Sequence, residues 1–421
     1  MKSIAGLSFA AALALSGCAA AYSEPVSVEA APAAAAGAQV SGATAVVETG
    51  PVSFSMPEGG IDLEGAAVLA WDDATRAANF RRMEDFFPGF EVKPAATPRA
   101  LPKGEALPAM TAAAIDSYLA RGDIAGVMVL QDGMVRYEKY GMDFAPEERW
   151  TSFSVAKSLT STLLGAAVKD GYVASMDDAV SKYIPGLVGS AYDDVTVEQL
   201  ATMTSGVKWN ESYTDPDSDV ARMFDTQPGP GEDQVVEYMK TLPREAPAGD
   251  KWVYKTGETN LIGVLVENAT DRTLAQYAKD KLVDPAGLEG SLFWQIDLSQ
   301  RNIGGCCLSM RLADYARIGQ FALEGGNGVV PDGWFDAAGA SQVDFGETLG
   351  MPGFGYGYQW WTYPGGNFGA QGIFGQSITI APSQNLVVAI LSNWPKASDR
   401  AQSMERLGLL AAIAAGAGPG N

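Results

Sequence analysis

From Thr111 to Arg121 apolar residues recur at helical spacing, and the chain then enters Gly126-Val127-Met128-Val129-Leu130, a short unbroken apolar run. Gln131-Asp132-Gly133 separates that run from Met134-Val135-Arg136-Tyr137-Glu138-Lys139-Tyr140. Asp-Gly between two stretches rich in strand-forming residues predicts a hairpin.

Between Ser154 and about Arg311 the pattern changes to helix, interrupted at Gly171, Pro185, Pro228, Pro230, Pro247 and Pro285. After Arg311 a helix through Ala313, Tyr315, Ala316, Ile318 and Phe321 should end at Gly325-Gly326. Strand-like runs follow at Tyr356 to Thr362, Gly375 to Ile380 and Leu386 to Leu391, and a last helix covers Arg400 to about Ala415. Strands at both ends of a helical middle predict an α/β (α+β) architecture. One central antiparallel sheet is assembled from residues 61–150 and 312–421, flanked by helices, with a mostly helical inserted domain over 151–311. The active site is expected where the two parts meet.

The N-terminus does not join this pattern. Met1-Lys2-Ser3 and the apolar run from Ile4 to Leu15 form the n-region and h-region of a secretory signal, too short to span a bilayer. The run closes on Leu15-Ser16-Gly17-Cys18, which resembles a bacterial lipoprotein signal. It implies that residues 1–17 are removed, that Cys18 carries lipid, and that the protein is anchored in the periplasm; Ala19 after the cysteine resembles outer-membrane sorting. The Ala/Pro-rich residues 18–60 then read as a flexible tether.

Composition narrows the function. The 421 residues are 47% hydrophobic, ample for one large or two packed domains. With 29 basic against 50 acidic residues, the net charge of -21 opposes binding to nucleic acid or anionic lipid surfaces, leaving the lipid at Cys18 as the membrane contact. With Cys18 lipidated, Cys306 and Cys307 remain, so no long-range disulfide can form. Between Gly304-Gly305 and Leu308-Ser309-Met310 they read as small residues at a tight turn in preference to a strained redox pair. No histidine and no cysteine cluster at ligand spacing argue against a zinc or iron site, and no cofactor is called for.

A histidine-free chain cannot use a Ser-His-Asp triad, so a serine nucleophile would need lysine or tyrosine to take its proton. Ser154-Val155-Ala156-Lys157 supplies one arrangement: on a helix beginning at Ser154 the two side chains share a face, with the serine at the positive end of the dipole. Burial and a tyrosine contact would lower the lysine pKa until the neutral amine accepts a proton. The spacing alone is weak, because Ser205-Gly206-Val207-Lys208 repeats it where glycine opposes a helix start.

Ser154-Val155-Ala156-Lys157 resembles the first motif of the serine β-lactamase and penicillin-binding-protein superfamily. Trp252-Val253-Tyr254-Lys255-Thr256-Gly257 is similar to the second motif of its class C and esterase branch, which implies that Tyr254 is the proton-transfer partner, its phenol held closer to ionisation by a nearby ammonium. At the third motif the expected Lys-Thr-Gly or His-x-Gly is replaced by Ala370-Gln371-Gly372. Gly372 still lets substrate approach the strand, and the backbone amides of Ser154 and Ile373 are the candidate oxyanion hole. Losing the third-motif cation, which helps hold the substrate carboxylate, disfavours β-lactamase or D,D-peptidase activity and leaves ester or amide substrates.

Residues from about Leu63 to Leu409 resemble the 6-aminohexanoate-dimer hydrolase group and its carboxylesterase relatives. Further phrases that fit are Leu200-Ala201-Thr202-Met203-Thr204-Ser205-Gly206-Val207-Lys208-Trp209 with Glu211 and Tyr213, then Arg311 to Gly319, then Gly355 to Trp361. Tyr213 resembles a loop tyrosine on the leaving-group side there, with a solvent-exposed turn the alternative. Tyr356, Tyr358 and Trp360 alternate on one face of an expected strand, as sheet packing or as an aromatic wall of the cleft.

The expectation is a serine hydrolase that cleaves a small-molecule ester or amide through an acyl-serine, with Ser154, Lys157 and Tyr254 catalytic and Tyr213, Ala370, Gln371 and Gly372 on substrate. Its rival is a non-catalytic ligand- or cell-wall-binding lipoprotein of the same β-lactamase-like fold.

Overall fold

The computed structural model describes residues 50–58, 68–344 and 353–420. The signal segment, Cys18 and most of the tether lie outside the described residues. Among these residues no helix is long and apolar enough to cross a membrane.

Thirteen strands among the described residues form two antiparallel sheets. A five-stranded sheet joins β1 (Val52–Ser55), β2 (Gly89–Val92), β5 (Trp150–Thr151), β6 (Leu292–Gln295) and β7 (Leu308–Met310), in spatial order β1-β2-β6-β7-β5. The eight-stranded sheet contains β3 (Ile124–Gln131), β4 (Met134–Tyr140), β8 (Val343–Asp344), β9 (Gly355–Tyr356), β10 (Trp361–Tyr363), β11 (Asn367–Gln371), β12 (Ser377–Ala381) and β13 (Leu386–Ser392), in order β4-β3-β13-β12-β11-β10-β9-β8. Pairing of β3 with β13 joins the N- and C-terminal parts, as the strand pattern predicts.

Local chemistry explains the sheet's central and edge strands. Every residue of β3 and β13 is buried, because helices cover both faces, whereas β4 carries Arg136, Glu138 and Lys139 as an edge strand. Asp132 and Gly133 both have positive φ (53° and 73°), the requirement of a tight hairpin matched to strand twist. On one face Val127, Val129, Val388 and Ile390 pack with helices α1 (Ala109–Leu119) and, at the other end of the chain, Arg400–Ala417.

The opposite face receives α2 (Val155–Lys169) and α4 (Leu312–Leu323), while α3 (Thr256–Thr270) packs on α2; Arg400–Ala417 becomes α5. α4 crosses β3, β12 and β13 at Gly319, where an added Cβ would lie 2.4 Å from Val387 Cγ1 and 2.8 Å from Ile378 Cγ2. Gly319→Val should therefore lower the unfolding free energy by about 1–3 kcal/mol through overpacking, measured by urea titration; unchanged stability would contradict this close approach.

α2 is buried nearly all round, with α3 on one side and β11 on another. Its small hydroxyls make this possible: Thr160, Ser158 and Ser161 donate to the carbonyls of Gly304 (2.7 Å), Gln359 (2.7 Å) and Tyr358 (2.6 Å).

Four expectations need correction. The tether does not extend to residue 60, because Val52–Ser55 pairs with Gly89–Val92. The middle segment contributes β6 and β7, short wholly buried runs whose apolar character carries no helix or strand period. The expected strand from Tyr356 to Thr362 is two strands around a turn, in which Gly357 N–H donates to Trp360 O and Gln359 has φ 61°. The three rings consequently separate: Tyr358 packs on Trp334, and Trp360 packs between Phe335 and Phe368. Tyr356 alone faces Tyr254. Finally, Cys306 and Cys307 form a vicinal disulfide, not a pair of free thiols at a turn; both are buried, and Cys307 has φ 78°.

Candidate active site

Ser154 lies where β5 turns into α2. Ser152 pins the turn: its amide donates to Leu308 O (2.7 Å), and its hydroxyl accepts from Leu308 N–H (3.1 Å). Phe153 is held at φ 44°, an outlier for a bulky residue, with its ring between Phe80 and Phe374. Ser154 then takes the N-cap position without a side-chain capping bond, leaving its hydroxyl free for chemistry.

Lys157, one turn along, is buried. Its ammonium nitrogen lies 3.3 Å from Ser154 Oγ, 3.0 Å from Thr256 Oγ1 and 2.7 Å from Gly305 O. It forms no ion pair with any described carboxylate. Burial pushes the amine down to about 8, and the charge of Glu211 partly opposes the shift. Ser154 and Lys157 are thus brought together as the helical spacing predicts.

Tyr254, just before α3, is also here. Its ring stacks on Trp361 (5.8 Å between centroids) and touches Trp252 and Tyr356. The Lys157 ammonium sits over the ring face, 5.2 Å from its centroid. The phenol is therefore not drawn toward ionisation: burial and the Glu211 charge push it well above its usual value, and hydrogen bonding with Ser154 only partly offsets them. Lys157 is lowered by burial as expected, whereas the expected shift of Tyr254 toward ionisation is not found. Lys157 is the group able to be basic near neutrality, and Tyr254 remains a neutral hydroxyl donor.

The third-motif strand abuts the Ser152–Ser154 turn. A Cβ on Gly372 would lie 2.7 Å from Ser152 O and 2.6 Å from Gln376 Oε1, so only glycine allows this contact. Neither the Ser154 nor the Ile373 amide donates to an acceptor among the described residues, while the adjacent Gly372 and Phe374 amides are taken by Gln376. Ala370 is buried. The Gln371 amide group is engaged elsewhere, donating to Tyr363 OH (2.7 Å) and accepting from Arg406.

Tyr213 is buried, not on an exposed turn, and its hydroxyl donates to Glu211. Glu211 is the residue that sequence reasoning left without a role. It accepts from Trp209 Nε1, Tyr213 OH, Thr256 Oγ1 and Thr256 N–H, the last at 3.0 Å. The alternation Trp209-x-Glu211-x-Tyr213 was the available signal. The second Ser-x-x-Lys separates instead: Ser205 is buried and donates to Glu258, Lys208 is exposed, and Gly206 has φ 72°. Lys255 pairs with Glu258 at 3.3 Å in a buried ion pair within the first turn of α3, and the Ser205–Glu258 hydrogen bond ties this loop to that helix.

Residues 111–413 match the family model described as Beta-lactamase. The chain belongs to the beta-lactamase family. A curated relative, the 6-aminohexanoate-dimer hydrolase of Paenarthrobacter ureafaciens, is 29% identical over 289 residues, which is 65% of this chain and 73% of the relative. Among solved structures, a Bacillus anthracis protein provisionally named a 6-aminohexanoate-dimer hydrolase superposes with a TM-score of 0.70 at 19% identity, covering 81% of this chain and 94% of that one. A class C β-lactamase solved with cefoxitin gives 0.55 at 16% identity, covering 72% and 96%. The fold is that of the serine β-lactamase and penicillin-binding-protein superfamily, and the chain is a hydrolase of that superfamily.

Proposed function

We propose that this beta-lactamase-family chain is a serine hydrolase of esters or linear amides, working through an acyl-enzyme on Ser154. The observation that carries the reading is the Lys157 nitrogen 3.3 Å from Ser154 Oγ, buried, without an ion-paired carboxylate and pushed down to about 8.

Ser154 Oγ attacks the substrate carbonyl carbon while its proton passes to the neutral Lys157 amine. The carbonyl oxygen becomes an oxyanion held by the Ser154 and Ile373 amides. The Lys157 ammonium returns that proton to the leaving alcohol or amine, with the neutral Tyr254 hydroxyl hydrogen-bonded to the leaving atom; the scissile bond breaks and the acyl ester remains on Ser154. Water then attacks that ester and gives its proton to the neutral Lys157 amine; the tetrahedral intermediate collapses, the bond to Ser154 Oγ breaks, Lys157 returns the proton to Ser154 Oγ, and the carboxylic acid is released.

Trp252, Tyr356 and Trp361 surround Tyr254 and supply an apolar wall, and no cation stands at position 370. A missing charge-assisted contact costs about 1.5–3 kcal/mol, so kcat/KM for anionic nitrocefin should fall at least about tenfold below that for p-nitrophenyl butyrate. Acid quench during butyrate turnover, followed by intact mass and peptide mapping, should find one butyryl group on Ser154. Turnover without that adduct, or with nitrocefin preferred, would overturn the assignment.

A further inference from the structure

Glu211 lies outside the reacting set, yet four donors converge on it. Resting on the acyl-serine reading above, we propose that Glu211 is a positioning residue that fixes the direction of the hydrogen bonds around Lys157, so that the amine's lone pair is left for the Ser154 proton.

The inventory of donors and acceptors carries this. A neutral amine has two N–H donors and one lone pair, and three oxygens surround Lys157 Nζ. Gly305 O can only accept, so it takes one N–H. Thr256 Oγ1 could accept or donate. Its own proton, however, is directed to Glu211 Oε1, and a carboxylate can only accept. Thr256 is thereby forced to accept the second N–H of Lys157. The lone pair then has one partner left, the hydroxyl of Ser154, which is the orientation a general base needs.

The two carboxylate oxygens differ in how firmly they are committed. Oε2 faces Trp209 Nε1 and the Thr256 amide, both donors that cannot reverse. Oε1 faces the hydroxyls of Tyr213 and Thr256, both of which can. In Glu211→Gln the amide oxygen would stay with the two fixed donors and the NH₂ would occupy the Oε1 position. Thr256 would then accept from that NH₂ and turn its proton to Lys157, capping the lone pair. Charge alone predicts the opposite result: the Glu211 carboxylate raises the lysine pKa, so neutralising it frees more amine at neutral pH.

The test is a double-mutant cycle of full-length protein on p-nitrophenyl butyrate, with melting curves to compare folding. Glu211→Gln should lose about 100-fold in kcat/KM, within the range of a general base. Thr256→Val, which keeps the shape and removes the hydroxyl, should lose about tenfold. The double variant should match Thr256→Val, so that deleting the hydroxyl rescues Glu211→Gln about tenfold. Additive losses, or a Glu211→Gln enzyme as fast as wild type, would overturn the proposal. If Glu211→Gln does not fold, Thr256→Ser should retain activity that Thr256→Val loses, and equal rates in those two would overturn it. Failure of the acyl-serine reading shows separately, as turnover that survives Ser154→Ala.

Discussion

Ser154→Ala is expected to abolish labelling by a fluorophosphonate probe and to reduce ester turnover to background, a loss of at least about 10⁴-fold, while the protein remains folded. The fold should survive because Ser154 makes no capping bond at the start of α2, and the hydrogen bond to Lys157 that the substitution removes is a long one at 3.3 Å. An alanine methyl fits a position that is already buried. A binding protein that had lost turnover would show neither labelling nor burst in the wild type, and the variant would bind ligand unchanged. Probe labelling that persists in Ser154→Ala would remove the nucleophile assignment and with it the mechanism.

Much of this site was legible because it depends on local spacing. Ser154 and Lys157 are one helical turn apart, and the helix that presents them starts where the motif implies. The Asp132-Gly133 hairpin was likewise readable, since two positive φ values select those residue types. What escaped was set by partners far away in the chain. Nothing in Val52–Ser55 announces that it will pair with Gly89–Val92, and the burial of Leu292–Gln295 leaves no alternation to read. Glu211 is the sharpest case: its importance comes from Thr256, at the start of a helix 45 residues on, and from Lys157 behind it. Tyr254 lies beside Lys157, but with the ammonium over its ring, and no pattern in the sequence tells whether an ammonium meets a phenol at its hydroxyl or over its ring.

Lys157 carries the other large effect, and its sign follows from the direction of its shift. The amine is active when neutral and is pushed down to about 8, so kcat/KM should climb about tenfold per pH unit below 8 and level off above it. At pH 6 the rate should stand about 100-fold below the plateau, which follows from the fraction of neutral amine. The groups around it do not supply a competing limb: the hydroxyls of Tyr254, Tyr213 and Tyr356 are all raised, with burial the first cause, and Cys306 and Cys307 are bonded to each other. Lys157→Met should lower the plateau by about 10²–10⁴-fold and erase the limb. Stability responds to the same proton over a higher window. The unfolded chain binds it up to its ordinary value of 10.5 and the folded chain only to about 8, so between those limits the unfolded state holds more protons and wild-type stability rises with pH. The contribution is roughly 3 kcal/mol, present above the upper limit and lost in full below the lower one. Urea unfolding across that window should therefore show a slope in wild type that is reduced in Lys157→Met. A rate profile that is flat from pH 6 to 9, or equal slopes in the two proteins, would show that Lys157 remains an ammonium in the folded enzyme and cannot be the base.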